Sequence, residues 1–222
     1  MRKNSLNVVC GILVIITVAI FLVTLTQNFV VRSGEVYSFY FNDSGVTSQL
    51  YTELTSNEIA DGIADFMNSW MPEEFQIYED TGYDMQGIFD EDDSHNMMIV
   101  KKWLDISALA CVLSLIITVA CYWRLIKFDE KKRLRIGYRI GLVIAVAIAV
   151  GEVIVLLSHQ GRAWLAGILG FIELSEDSPL LTVLGPEFLT MAAGFVVFMT
   201  VIVYAVCSYV SYRLTRPPRI FY

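Results

Sequence analysis

The 222-residue chain is 55% hydrophobic and only 18% charged, a composition that excludes an ordinary soluble domain and points to membrane insertion. Its formal net charge of −7 excludes a basic nucleic-acid-binding surface and averages over a very uneven distribution. The four cysteines, Cys10, Cys111, Cys121 and Cys207, all fall in apolar stretches and read as small membrane-buried hydrophobes rather than as a disulfide framework.

Arg2 and Lys3 precede the first apolar run, residues 6–31, which is long enough to cross the ~30 Å of hydrocarbon as a helix. It continues past Phe21 and Leu25 with no small-x-small cleavage site, so it is read as a span and not as a signal peptide. Residues 33–100 then contain no Lys or Arg and many carboxylates. A segment of that length between two spans is too long for a connector and is expected to form a small mixed α/β extracytoplasmic domain. Within it, residues 35–42 (EVYSFYFN) are rich in aromatic and β-branched side chains and predict a strand. Thr55 and Glu58 have the spacing of a capping box. Ile59, Ile63, Phe66, Met67 and Trp70 then recur at helical spacing up to Pro72, which predicts an amphipathic helix over residues 56–71. Its apolar stripe covers either the domain core or lipid. Its acidic polar face favours the core, because membrane-surface helices carry Lys or Arg.

The second span is predicted over residues 103–126 and is followed by Lys127, Lys131, Lys132, Arg133 and Arg135 in a link over 127–136. The third covers 137–158, where Gly137, Gly141, Ala145 and Ala149 form a small-residue stripe suited to close helix packing. A loop over 159–187 follows, and its apolar part, 163–172 (AWLAGILGFI), is expected in the interface or re-entering the leaflet. Trp103 and Trp164 fit an aromatic belt. The fourth span, 188–212, ends before Arg213, Arg216 and Arg219. Basic short segments stay in the cytoplasm, so both termini are assigned there and the acidic segment outside, in a plasma-membrane protein. The organisation is therefore residues 1–32 as the first span, 33–100 as the extracytoplasmic domain, and 101–222 as the remaining three spans.

Only two histidines occur, His95 and His159. His95 precedes Trp103 by about two helical turns, and His159 lies ~33 Å along the third helix from Gly137, at its outer end. Both imidazoles are therefore expected at the outer ends of neighbouring helices. Imidazole is suited to take and return a proton near neutral pH, although two histidines at an interface also occur as plain hydrogen-bonding groups. A zinc site built from His95 with Asp90, Asp92 and Asp93 is a further reading, without a motif behind it. Glu152 is the one carboxylate deep in an apolar run, seven residues before His159, and is either functional or hydrogen-bonded to a neighbouring helix. Ser94 and Ser158 each precede a histidine, but adjacent helical residues face different ways, so neither forms a ready nucleophile pair.

Three patches carry a resemblance to a known family. They are Ser94-His95 followed by Val100-Lys101, Ser158-His159 at the end of the third span, and the stretch 177–188 (DSPLLTVLGPEF) before the fourth. Together with the layout of one span, a large outer segment and three more spans, they resemble the lipoprotein intramolecular transacylase family of bacterial membrane proteins. The family's Asp after its first His is replaced here by Met98 or Ile99, the Phe before its second His by Ser158, and its Trp-x-Phe-Asp-Pro signature is eroded around 171–173. The resemblance implies an acyltransferase that moves the sn-2 chain of a diacylglyceryl-cysteine lipoprotein to that lipoprotein's own N-terminal amine. His95 and His159 would be catalytic, with Glu152, Arg162, Trp164, Asp177 and Glu187 as supporting or substrate-binding groups. No cofactor and no metal are required, the partners are the diacylated lipoprotein and membrane lipid, and a monomer is expected. Against this stand a non-enzymatic outer-surface accessory protein and a small transporter or metal-handling protein. The latter would place charges in several spans or show a repeat, and the sequence has neither.

Overall fold

The computed structural model describes residues 2–50, 52–70, 74–80, 82 and 84–215, apart from the side chains of Arg2, Lys3 and Asn4. Pro72, Arg216 and Arg219, used above, lie outside the described residues. In chain order the elements are α1 (Arg2–Arg32), α2 (Gly34–Ser44), α3 (Val46–Gln49), α4 (Ser56–Asn68), β1 (Tyr78–Asp80), β2 (Met85–Gly87), α5 (Glu91–Lys127), α6 (Lys131–Leu157), α7 (His159–Leu169), α8 (Pro179–Leu184) and α9 (Pro186–Thr215). Four helical stretches, Ser5–Arg32, Glu91–Lys127, Lys131–Leu157 and Pro179–Thr215, are long and apolar enough to cross a membrane, at the four places the sequence indicates. The chain divides into two compact units.

The first unit comprises Met1–Gln27, Ser107–Gly151 and Val196–Tyr222. Its core is formed by Cys10, Val14, Val18 and Leu22 of α1 with Cys121 and Leu125 of α5 and Leu134, Leu142 and Ala145 of α6. The small-residue stripe of α6 lies against α1. A Cβ on Gly137 would sit 2.9 Å from the Gly11 carbonyl oxygen, and one on Gly141 would sit 2.8 Å from that of Ile15. The Thr118 hydroxyl donates to that of Thr17 at 2.7 Å, and Thr200 and Thr26 meet at 3.4 Å. Arg135 donates to the Thr215 carbonyl at 2.6 Å, tying the start of α6 to the end of α9. The outward stripe of α5, Leu109, Val112, Ile116, Val119 and Trp123, is exposed, as a lipid-solvated face is. Only Phe128–Glu130 link α5 to α6, a shorter connection than the expected 127–136 because both helices continue through their basic ends.

The second unit comprises Asn28–Ile106 and Glu152–Phe195. The expected strand over 35–42 is a helix, α2. Its aromatic residues satisfy helical spacing as well as strand propensity. Val36, Tyr37 and Phe41 are buried on one face, and Gly45 ends the helix in the left-handed conformation at φ 67. Tyr37 stacks on Phe188 with centroids 5.3 Å apart, and its hydroxyl donates to the Val31 carbonyl at 2.6 Å. The capping box forms as read. Thr55 accepts from the Glu58 N–H, and the Glu58 carboxylate accepts from the Thr55 N–H at 2.7 Å. The stripe of α4 is core, with Ile59, Ile63 and Met67 all buried. The helix stops at Asn68 rather than at 71, so Trp70 falls beyond it and is 90% exposed. Phe75 bridges Phe66 and Phe89 at centroid distances of 4.9 and 4.6 Å. The strands are confined to the antiparallel hairpin β1–β2, so the segment between α1 and α5 is mainly helical among the described residues.

Candidate active site

The second membrane helix begins twelve residues earlier than its apolar run, at Glu91 rather than Trp103. The reason is electrostatic and local. Asp90 accepts from the Asp93 N–H at 2.8 Å as an N-terminal cap, and the acidic first turn suits the positive end of the helix dipole. His95 thus stands on a helix, in a turn whose other members are each committed elsewhere. Asp93 is fully buried; its carboxylate accepts from the Ser178 hydroxyl at 2.5 Å and from the Leu180 N–H at 3.4 Å, which holds the start of α8. Ser94 is buried and accepts from the Phe75 N–H at 3.1 Å. Asn96 is buried and makes two bonds to one residue. Its amide donates to the Ile172 carbonyl and accepts from the Ile172 N–H, both at 2.9 Å. His95 itself is exposed. As expected from helical geometry, Ser94 faces in where His95 faces out, so they form no nucleophile pair.

Six residues after His95, Lys101 is buried with only 3% of its side chain exposed. Its ammonium donates to the Ser69 carbonyl at 2.7 Å and the Met67 carbonyl at 3.3 Å, and pairs with Asp105 at 3.3 Å. Arg32, at the end of α1, pairs with the same Asp105 at 2.6 Å and also donates to the Met67 carbonyl. Two cations therefore complete the C-terminal end of α4, where carbonyls are left without helical partners. Sequence reasoning did not single out Lys101 as a site residue. The available signal was its place as the first basic residue after the Lys- and Arg-free stretch.

His159 does not extend the third span as expected. Ser158 leaves helical geometry, at φ −87 and ψ 134, and caps a new helix by accepting from the Gly161 N–H at 2.9 Å. His159 is therefore the first residue of α7 and is exposed. The break also puts Glu152 and His159, seven residues apart, on different helices; Glu152 is half-buried in α6. Arg162 closes the break, donating to the Leu156 carbonyl at 2.8 Å and that of Leu157 at 3.3 Å. Trp164 is exposed on α7, a helix with no buried residue, in keeping with an interfacial segment. Asp177 is exposed, and the buried contact of its stretch comes from the neighbouring Ser178. Glu187 is exposed in the first turn of α9. Its charge adds to burial in raising the Tyr40 hydroxyl above its ordinary range.

Both histidines thus belong to the second unit and face outward, each within two turns of a helix start, and no direct bond joins them among the described residues. No group of three His, Cys, Asp or Glu side chains capable of holding a metal occurs among the described residues. Asp90 and Asp93 are instead engaged in the cap and the α8 contact.

No family model and no curated protein matches the sequence. Solved structures do. The membrane-integral lipoprotein intramolecular transacylase Lit from Bacillus cereus superposes with a TM-score of 0.72 over 96% of each chain at 14% identity. A histidine-to-alanine variant of it gives 0.77, covering 99% of this chain and 98% of that one at 15% identity. A histidine-to-arginine variant gives 0.74, covering 96% and 93% at 16% identity. Across nearly its whole length, then, this multi-pass membrane protein has the fold of the lipoprotein intramolecular transacylase.

Proposed function

We propose that the protein is a membrane acyltransferase that moves the sn-2 acyl chain of a diacylglyceryl-cysteine lipoprotein to the same molecule's N-terminal amine. The observation that carries this reading is the pair of exposed histidines in one compact unit of a transacylase fold. In the reaction the α-amino nitrogen forms a bond to the sn-2 carbonyl carbon, and the bond from that carbon to the glycerol oxygen breaks. One imidazole takes the amine proton, and the other delivers a proton to the leaving alkoxide. Each such transfer is typically worth ~10²–10⁴-fold in rate. Because amine and ester belong to one substrate molecule, folding it into a reactive pose supplies much of the remaining acceleration. Ser94 is buried and Ser158 caps α7, so a direct transfer needs neither as an acyl carrier.

Either His95→Ala or His159→Ala should abolish lyso-form lipoprotein production in cells and with a synthetic diacylated lipopeptide, while the protein still inserts and accumulates. Near-normal activity in one variant would remove that histidine from the mechanism. The orientation is part of the proposal. Single cysteines at Asp61 and Asp177 should react with a membrane-impermeant thiol reagent in intact cells, and one at Lys131 should not; labelling at Lys131 would invert the topology.

A further inference from the structure

The side chain of Asn96 is spent entirely on the main chain of a residue 76 positions away. We propose that Asn96 is a positioning residue, whose amide clamps the Ile172 peptide so that the helix beginning at His159 is held in register with the turn bearing His95. The proposal rests on the transacylase reading and adds to it a residue that is not among the catalytic and supporting groups the resemblance implies.

The N–H groups of Gly170 and Phe171 both return to the Ala166 carbonyl at 3.0 Å, and Gly170 adopts φ 81. The backbone leaving α7 is thereby fixed through residue 171. The next residue, Ile172, is the one that Asn96 grips by both its N–H and its C=O. The Ile172 side chain is exposed, so apolar packing does not hold this point; the amide does. Asp93 lies three residues before Asn96, on the same helical face, and holds Ser178 and Leu180. The segment from 172 to 180 is thus pinned along the first turns of α5 at two places, and His95 projects from between the two pinning residues on a different face. The same side-chain device recurs in this unit, where Gln76 donates to the Phe89 carbonyl at 2.7 Å and accepts from its N–H at 3.0 Å.

Such a clamp needs one donor and one acceptor in a plane. A leucine of similar shape has neither, and leaves the Ile172 groups unpaired. A carboxylate has no donor and faces the Ile172 carbonyl with like polarity. A protonated carboxyl has both an O–H and a C=O, and restores the pair. Asn96→Leu and Asn96→Asp therefore separate positioning from bulk, in the full-length protein reconstituted in vesicles with a synthetic diacylated lipopeptide. Asn96→Leu should lower kcat by about a hundredfold, the scale of an ångström-level misplacement, with KM nearly unchanged and equal folded protein. For Asn96→Asp, activity relative to wild type should rise as the pH falls from about 8 to about 5.5, because burial raises the pKa of the new carboxyl. Asp93, His95 and Glu173 are present in both proteins, so their titration divides out of that ratio. Full kcat in Asn96→Leu, a pH-independent ratio for Asn96→Asp, or losses that merely track unfolded protein would overturn the proposal. An inactive wild type would instead overturn the transacylase reading. Hydrogen exchange would then decide the clamp: faster exchange at the Ile172 amide in Asn96→Leu, with α5 unchanged, supports it, and unchanged exchange refutes it.

Discussion

The two units of the chain are held together by opposite means. In the first, α1 and α6 touch backbone to backbone across Gly137 and Gly141, and polar contacts between helices among the described residues include two hydroxyl pairs, the Cys111 thiol and one arginine. Lipid offers helices no hydrophobic drive to associate, so close contact between small residues supplies the attraction. In the second, aromatic packing is joined by buried polar side chains that each engage a specific backbone group, as Asp93, Ser94, Asn96 and Lys101 do. Close packing of small residues holds helices together but fixes no polar atom. Hydrogen bonds from a buried amide or ammonium fix one atom at a stated distance, which is what acid–base chemistry needs. Both histidines are carried by the unit built in the second way.

The largest effect should come from violating the first mode. A side chain on Gly141 has no room before the Ile15 carbonyl, so Gly141→Leu should destabilise the protein by about 3 kcal/mol or prevent its accumulation. A thermal midpoint in detergent equal to wild type would show that α1 and α6 do not meet closely. Next comes the polar mode. Lys101→Met keeps the buried chain but leaves the Ser69 carbonyl without its cation and the Met67 carbonyl and Asp105 with Arg32 alone, at an expected cost of about 2 kcal/mol, the range of charged hydrogen bonds. The exposed Lys132→Met is the control and should be near neutral. If the two lysine variants behave alike, the second unit does not depend on its buried cation. The smallest effect tests the cap. Thr55→Ala should cost about 1 kcal/mol. In wild type, the hydrogen bond from the Thr55 N–H, then that from its hydroxyl, holds Glu58 below its ordinary range. A lowered folded value means that this stabilisation is present above about pH 4.3 and is lost as the pH falls through the folded value. The protection of the α4 amides, taken relative to the intrinsic exchange rate at each pH, should accordingly fall on acidification in wild type and less so in Glu58→Gln.

What could be read from the sequence follows the range of the interaction concerned. The spans, the capping box at Thr55 and Glu58, and the glycine–alanine stripe of α6 are signals within a turn or within one helix, and the structure has all of them. Residues 35–42 misled because aromatic content favours a strand while their spacing also fits a helix, and the packing of Tyr37 on Phe188 decides between them. The break at Ser158 was hidden inside an apolar run, where a serine cap carries little weight against the surrounding hydropathy. His95 and His159 stood out by rarity, by their places near helix ends and by the resemblance. Ser94 and Lys101 were named only within that resemblance and Asn96 not at all, and the contacts of all three were hidden, because their partners lie 19, 32 to 34 and 76 residues away.

The early start of α5 bears on the depth at which the proposed acyl transfer would take place. His95 precedes Trp103 by eight residues of unbroken helix, an axial rise of ~12 Å. The headgroup layer on one side of a bilayer is only ~5–8 Å thick. If Trp103 marks the hydrocarbon boundary, the imidazole stands beyond the lipid surface rather than within it. A glycerol ester anchored in the leaflet would then have to be drawn outward before it could react. The proposed transfer would then require the protein to act first as a hoist: each methylene lifted into water costs ~0.8 kcal/mol, a cost to be met by an apolar path leading up from the leaflet.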